Sequence, residues 1–148
     1  MKREETIDHH MKASWHAISR MYNQQAVKHD ITTSIGFVLL NIHSDHGTPA
    51  TKIAPMMGLE SRSLTRMLKS MEEKGLIYKQ ADLEDKRSVR IFLTSVGVEK
   101  KEIARLTVLK FNTIARERID KKKLAVFFEV VNEINEIIDQ GKVYESED

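Results

Sequence analysis

Residues 61–74 carry two sets of side chains that repeat at the spacing of an α-helix. One set is apolar and would share a sector of about 100°: Leu64, Met67, Leu68 and Met71. The opposite set offers positive charge and hydrogen-bond donors: Arg62, Thr65, Arg66 and Lys69. Arginine can grip a guanine edge with two hydrogen bonds, and threonine can contact a base or a thymine methyl. This chemistry suits contact with DNA bases and phosphates, and we include Ser61 and Ser63 among the predicted DNA-contact residues. The alternative is that this side of the helix only faces solvent.

A second charged group lies between two strand-like runs, residues 76–79 and 89–93. Apolar and polar residues alternate in the second run, which is typical of a half-buried strand. The linker between the runs is polar and carries Lys86 and Arg87, so the pair predicts a β-hairpin with a charged tip. A guanidinium fits the narrow minor groove of A·T-rich DNA. Asp85 is expected to pair with a neighbouring cation and fix the tip; the alternative is an ordinary charged loop.

Both groups need a scaffold that presents them together. Before residues 61–74, Thr48 and Pro49 predict the N-cap and first residue of a short helix that ends at Gly58. Pro55 removes one backbone donor inside it, so we expect a kinked, frayed or late-starting helix. Two helices joined by a turn around Gly58 form a helix-turn-helix candidate, whose second helix would enter the major groove.

Further helices are predicted on both sides of this unit. They cover about residues 4–28, a segment from a Thr32 N-cap through the stripe Ile35, Val38, Leu39 and Ile42 to the His46-Gly47 pair, about residues 95–117 after a Thr94 cap, and about residues 121–140. The resulting fold is mainly α with a small β-hairpin wing. We assign residues 1–30 to an N-terminal dimerisation helix, 31–97 to a winged helix-turn-helix DNA-binding domain and 98–148 to C-terminal dimerisation helices.

The terminal helices carry more apolar side chains than one winged helix-turn-helix domain could bury. The candidates for an intersubunit core are Ile7, Met11, Phe111, Phe127, Phe128, Val131 and Ile138. Homodimers with twofold symmetry are the commonest way to cover such surface, and DNA sites with two half-sites require one. The alternative is that these side chains pack within one chain.

Composition excludes several function classes. The chain has no cysteine, which removes disulfides, thiol redox sensing and Cys-ligated zinc. No apolar run is long enough to cross a bilayer, so no membrane partner is predicted. The first ten residues are polar, so no signal peptide is expected and a cytoplasmic setting follows. No paired carboxylates and no phosphate-cradling glycine loop stand out, which argues against an enzyme.

The distribution of charge is more informative than the net charge of +2. Residues 50–93 hold 9 basic and 6 acidic side chains, a surplus of three. Residues 1–49 are balanced at 5 and 5, and residues 94–148 hold 10 basic and 11 acidic side chains. The surplus therefore coincides with the segment where a phosphate-binding surface is needed.

Two segments resemble the core signature of the multiple-antibiotic-resistance regulator (MarR) family. They read MGLESRSLTRMLKSMEEKGLI and DLEDKRSVRIFLTSVG. The family pattern has a recognition helix that ends in glycine, a wing with an Asp-x-Arg tip, a strand and Leu-Thr-x-x-Gly. It is matched here by Asp85, Arg87, Leu93, Thr94 and Gly97. The detailed resemblance covers about residues 31–100.

The resemblance implies a homodimeric repressor bound to a pseudo-palindromic operator. It places Arg87 in the minor groove and a small aromatic ligand between the DNA-binding and dimer regions. Three departures follow from the residues. Glu60 stands before the predicted recognition helix, where the family commonly has Ser or Asp, so the helix cap is expected at Ser61. Pro55 is unusual in the helix before it. The lack of cysteine excludes the peroxide-sensing branch of the family.

Two further groups allow both a binding and a structural interpretation. Trp15 and Phe37 are candidates for lining a ligand pocket, although aromatic residues on an apolar face are usually core. Three residues, His43, Asp45 and His46, cluster at a predicted helix end, as His9 and His10 do near the N-terminus. Histidine is favoured at a helix C-terminus without any metal, so neither a metal site nor a cofactor is predicted.

The sequence leaves one main alternative to a DNA-binding regulator, namely a winged-helix protein–protein interaction module that does not bind DNA. Such a module should show apolar or acidic residues on the outer face of the 61–74 helix. That face carries Arg62, Arg66 and Lys69 instead, which favours double-stranded DNA as the partner.

Overall fold

The computed structural model describes residues 1–145, and these are mainly helical. In chain order the elements are α1 (Ile7–Ala26), α2 (Thr33–Leu40), β1 (Thr48–Pro49), α3 (Ala50–Met57), α4 (Ser61–Glu73), β2 (Ile77–Ala81), β3 (Val89–Leu93), α5 (Ser95–Arg118) and α6 (Lys121–Asp139). The predicted mainly α architecture with a small hairpin is confirmed. Within the described residues, no helix combines the length and the apolar character that a membrane crossing needs.

The sheet has three antiparallel strands in the order β1-β3-β2, one more than predicted. In the hairpin, β2 and β3 pair from Ile77 opposite Leu93 to Ala81 opposite Val89. The additional strand β1 places Thr48 opposite Ile91. The prediction that Thr48 caps the short helix is therefore wrong. Its hydroxyl oxygen accepts the His43 N–H at 2.9 Å and its backbone pairs with β3, so α3 starts later, at Ala50.

Helix α2 begins as predicted but ends earlier. The Thr32 hydroxyl oxygen accepts the Ile35 N–H at 3.2 Å, which is the expected N-cap bond. The helix stops at Leu40 rather than at the His46-Gly47 pair. The Asn41 side chain donates to the Phe37 carbonyl at 2.8 Å, and such local side-chain bonds compete with the helical ladder.

The core fills the space between α2, α3, α4 and the sheet. It contains the predicted apolar faces of the second and fourth helices together with sheet residues, all less than 10% exposed: Ile31, Ile35, Val38, Leu39, Ile42, Ile53, Ala54, Leu64, Leu68, Met71, Leu76, Ile77, Ile91 and Leu93. Each large aliphatic side chain contributes about 1.5–3 kcal/mol through burial. This core fixes where the outer faces of α4 and the hairpin point.

The chain divides into two compact units, Met1–Val108 and the part from Leu109 onward. The first contains the whole core cluster. The second contains the end of α5 and helix α6, which starts where the Asp120 carboxylate accepts the N–H groups of Lys122 and Lys123 at 3.0 and 3.1 Å. No residue of α6 is buried.

Candidate nucleic-acid interface

Helix α4 presents its polar side to solvent because its apolar side is held in the core. Leu64, Leu68 and Met71 are buried, while all six predicted contact residues are exposed: Ser61, Arg62, Ser63, Thr65, Arg66 and Lys69. The expected cap at Ser61 is wrong, since Glu60 is the N-cap residue and makes no side-chain cap bond.

The cations of this face are available for an external partner. Among the ion pairs formed by residues 1–145, none uses Arg62, Arg66 or Lys69. The Thr65 hydroxyl donates to the Ser61 carbonyl at 2.8 Å, and Thr65 is exposed, so a partner can reach its side chain. The exposed side of α4 thus combines three cations with a small side chain that can approach a base.

The wing tip is a turn that Asp85 organises through the backbone. Its carboxylate accepts the Arg87 N–H at 3.0 Å, and its carbonyl accepts the Ser88 N–H at 3.0 Å. The expected pairing of Asp85 with a cation is not among the ion pairs of the described residues, because the carboxylate is directed at the backbone. Lys86 and Arg87 are exposed at the tip.

The base of the wing holds an ion pair that the sequence did not reveal. Asp82 Oδ2 lies 3.5 Å from Arg90 Nη2, and Asp82 is only 7% exposed. The alternation in residues 89–93 predicts that Arg90 lies on the opposite side of the strand from Ile91, and it does not indicate a partner for Arg90. The sequence gives one indication of this pair: an acidic residue, Asp82, precedes the hairpin tip, and a basic residue, Arg90, follows it.

The end of α4, the sheet and the start of α5 meet at one tight junction. Thr94 Oγ1 donates to the Gly75 carbonyl at 2.6 Å and accepts the Gly97 N–H at 3.0 Å, which confirms the predicted cap. Gly97 lies so close to the Leu76 carbonyl that a Cβ atom would overlap it. Helix α4 ends two residues before Gly75, so this junction holds the C-terminal end of α4 next to the start of α5.

The two candidate ligand aromatics lie next to each other between α1 and α2. The ring centroids of Trp15 and Phe37 are 5.9 Å apart, and Trp15 is 52% exposed, so it is not a core residue. Phe37 also borders a cavity of about 30 Å³, whose lining includes Tyr22 and Ile103. Burial raises the pKa of the Tyr22 hydroxyl. A cavity of this size holds about two water molecules.

The predicted dimer residues are largely uncovered in the single chain. Five are exposed, and they lie on α1 and α6: Ile7, Met11, Phe127, Phe128 and Ile138. Phe111 and Val131 are partly buried. The Arg116 guanidinium carbon lies 5.8 Å from the centre of the Phe128 ring. These side chains therefore do not form a buried core of their own within one chain.

The histidine cluster is part of a turn. The rings of His43 and His46 stack with centroids 3.5 Å apart. His43 Nδ1 accepts the N–H groups of Asp45 and His46 at 3.2 and 3.4 Å, which commits one ring nitrogen to the turn. The part of the chain that the structure describes holds no group of three or more side chains suited to a metal ion.

Comparison with known proteins assigns the chain to a family. The family model described as MarR family matches residues 31–89. The organic hydroperoxide resistance transcriptional regulator of Bacillus subtilis is 35% identical over 104 residues, which cover 70% of this chain and 71% of that protein. The chain belongs to the MarR family.

Two other relatives of this MarR-family chain align over a shorter part. The HTH-type transcriptional regulator TtmR of Methylorubrum extorquens is 34% identical over 57% of this chain and 44% of its own length. The corresponding values for SarZ of Staphylococcus haemolyticus are 29%, 57% and 57%. The chain thus spans about half the length of these two relatives.

Solved structures with the same fold extend over nearly the whole chain. The S. aureus MepR–DNA complex has a TM-score of 0.81 at 20% identity and covers 88% of this chain and 97% of that chain. PcaV of Streptomyces coelicolor, in complex with its natural ligand, has a TM-score of 0.78 at 17% identity and covers 92% and 96%. The winged-helix fold is thereby confirmed.

The family also settles the broad class of protein. MarR-family members are non-enzymatic, DNA-binding transcriptional regulators. The prediction of a regulator rather than an enzyme is therefore confirmed at the level of the family.

Proposed function

We propose that this chain is a homodimeric repressor that binds a pseudo-palindromic DNA operator. Helix α4 would enter the major groove and the wing would follow the adjacent minor groove. The observation that carries the proposal is the pairing of two exposed cationic elements on one core: the outer face of α4 and the Lys86-Arg87 tip. The MepR structure in complex with DNA has the same fold.

In this proposal α4 supplies base preference and the wing supplies shape preference. Arg62 and Arg66 would reach guanine edges, while Thr65 would contact a base or a thymine methyl. Ser61, Ser63 and Lys69 would bind phosphates and fix the register of the helix. Arg87 would occupy a minor groove narrowed by A·T-rich steps, where the negative potential is strongest.

Dimerisation would set the spacing of the two recognition helices. We propose that residues 1–30 and 98–148 join the two copies, residues 146–148 lying outside the described part of the chain, and that residues 31–97 bind DNA. Support comes from the exposed apolar side chains of α1 and α6, such as Met11 and Phe127. A symmetric dimer requires half-sites about one helical turn, or roughly 10 base pairs, apart.

We further propose that a small aromatic ligand releases the DNA. Its site would lie near Phe37 and Trp15, where the cavity beside Phe37 must widen to admit a ring. A ligand shifts such an equilibrium only if it binds one spacing of the recognition helices more tightly than the other. Thiol oxidation offers no route to release, because the chain has no cysteine.

The test begins with selection of bound DNA from a random pool, followed by titration of the selected operator at several salt concentrations. Arg87→Ala should lower affinity, reduce the slope of log affinity against log salt by about one unit, and weaken the preference for A·T flanks. Arg66→Ala should instead relax specificity inside the half-site, by about 1–3 kcal/mol for a bidentate base contact.

The control is Lys74→Ala, which removes an exposed cation outside both the predicted DNA-contact residues and the proposed dimerisation segments. It should leave specificity unchanged. If Arg87→Ala binds as tightly as the wild type with the same salt slope, the role of the wing is wrong. If the wild type selects no DNA at all, the protein–protein interaction module becomes the better assignment.

A further inference from the structure

We propose that Asp82 and Arg90 form a latch that positions the wing for DNA reading. The latch would join the wing tip to the turn that precedes the helix-turn-helix, so that Arg87 and α4 reach their grooves as one rigid body. This inference rests on the proposed function, since it concerns how the wing is held while DNA is bound. Neither residue belongs to the predicted contact set.

Asp82 holds both ends of the tip segment. Its carboxylate oxygen Oδ1 accepts the Glu84 N–H at 3.0 Å, and its own N–H donates to the Ser88 carbonyl at 3.0 Å. Its second oxygen, Oδ2, lies 3.5 Å from Arg90 Nη2. Asp82 is buried, and a buried carboxylate is tolerated only when it is paired and hydrogen-bonded. The tip therefore depends on this side chain.

Arg90 connects that carboxylate to a distant part of the chain. Its Nη1 donates to the carbonyl of His46 at 3.0 Å and to that of Gly47 at 3.3 Å. Both carbonyls belong to the turn directly before β1 and α3. One guanidinium thus bridges the wing and the turn that leads into the helix-turn-helix, and the fixed fork of arginine suits this geometry better than lysine does.

The turn is also seated tightly on β3, which keeps the latch short. Gly47 has a φ of +66°, and a Cβ atom there would overlap the Ile91 carbonyl and lie 2.9 Å from the Phe92 ring. A glycine is therefore required for this approach. A two-stranded hairpin is marginally stable by itself, and β1 adds only two paired residues to it. These contacts therefore help to fix the orientation of the wing.

The substitution Asp82→Asn separates an electrostatic effect on DNA affinity from an effect of the latch, because the two predict opposite changes. Asp82→Asn removes a negative charge near the proposed DNA surface, so electrostatics alone would strengthen binding. Loss of the latch would weaken binding instead, because Arg87 would have to be ordered when DNA binds. The amide can still accept the Glu84 N–H, so the substitution acts mainly on the bridge to Arg90.

The experiment measures operator affinity and salt slope for the full chain with Asp82→Asn, Arg90→Lys, Arg87→Ala and the double variant Asp82→Asn/Arg87→Ala. Asp82→Asn should weaken binding about fivefold with the salt slope unchanged, within the usual coupling between contacting residues. The same substitution should have no effect in the Arg87→Ala background. Arg90→Lys, which keeps the charge, should weaken binding in the same way.

Glu84→Gln is the matched control, because it removes an exposed carboxylate from the same tip and leaves the backbone bond to Asp82 in place. It should bind as tightly as the wild type or more tightly. Hydrogen exchange without DNA gives a second readout. The Arg87 and Ser88 amides, which donate to Asp85 at the tip, should exchange faster in Asp82→Asn because the tip opens more often once the bridge to Arg90 is lost.

The outcomes separate the two proposals. Unchanged exchange, or Asp82→Asn binding like Glu84→Gln, overturns the latch while leaving the DNA-binding function intact. An Arg87→Ala variant with wild-type binding overturns wing reading and, with it, the purpose of the latch. Faster exchange together with an Asp82→Asn effect that disappears in the Arg87→Ala background supports both.

Discussion

Helices α4 and α6 have similar amphipathic patterns, but they differ in where their apolar sides go. The apolar side of α4 is buried in its own chain, with Leu68 only 4% exposed. The apolar side of α6 stays open, with Phe127 and Phe128 at 56% and 45% exposed. Periodicity therefore identifies the apolar face of a helix, but it does not show what covers that face. The face of α4 is covered by its own chain, and by our proposal the face of α6 is covered by a second copy.

This difference has a physical consequence for mutations. A side chain in the α4 core supports the fold itself, because removing it leaves a cavity. A side chain on α6 should affect association far more than folding, because it has little buried area to lose in one chain. The comparison can be tested by substitutions of each kind, from the most to the least disruptive.

The largest effect is expected for Leu68→Ala. The side chain is buried in the core cluster, so truncation should lower the free energy of unfolding by about 2–5 kcal/mol. Urea denaturation monitored by circular dichroism measures the change, with the slope expected to stay constant. Leu83→Ala is the matched control, since Leu83 is 98% exposed, and it should shift stability by less than about 0.5 kcal/mol. Equal losses for both variants would contradict the assigned core.

An intermediate effect is expected for Phe128→Ala. If Phe128 lies at the centre of the proposed dimer interface, its loss should weaken association by about 2 kcal/mol, or roughly thirtyfold. Sedimentation over a range of concentrations should show a dimer of the 17.1 kDa chain shifting toward monomer. Val89→Ala, an exposed apolar position on the wing, should leave association unchanged. A Phe128→Ala dimer as tight as the wild type would remove α6 from the interface.

The smallest effect is expected for Thr94→Val, at the junction between the α4 region and α5. The substitution keeps the side-chain shape but removes the bonds to the Gly75 carbonyl and the Gly97 N–H. Loss of a helix cap lowers stability by about 1 kcal/mol, which a shift in the urea midpoint would report. Thr51→Val, at an exposed threonine of α3, serves as the comparison and should change the midpoint by less.

The sequence was sufficient for features that depend on local pattern. The spacing of Leu64, Leu68 and Met71 indicated the buried side of α4, and Thr32 and Thr94 indicated two helix starts. Each of these follows from periodicity or from a cap bond within three residues, so no tertiary information is needed.

Features that depend on distant contacts were missed. The two-residue strand β1 is too short to show alternation, and its pairing to β3 depends on the turn before it. The early end of α2 depends on the direction taken by the Asn41 side chain. The bridge from Arg90 to the His46 carbonyl joins residues 44 positions apart, a contact that no local pattern encodes.

The junction at Gly97 also limits which residues the fold can accept at that position. At Gly36, which like Gly97 lies within a helix, an added Cβ would meet the Ala104 side chain at 3.6 Å, an ordinary contact. At Gly97 it would collide with the Leu76 carbonyl, and a backbone atom cannot rotate away as a side chain can. Position 36 is thus open to alanine, whereas position 97 is closed to every residue that has a side-chain carbon. The glycine of the Leu-Thr-x-x-Gly pattern therefore cannot be replaced without moving the backbone, because the main chain at position 97 lies directly against the main chain of Leu76.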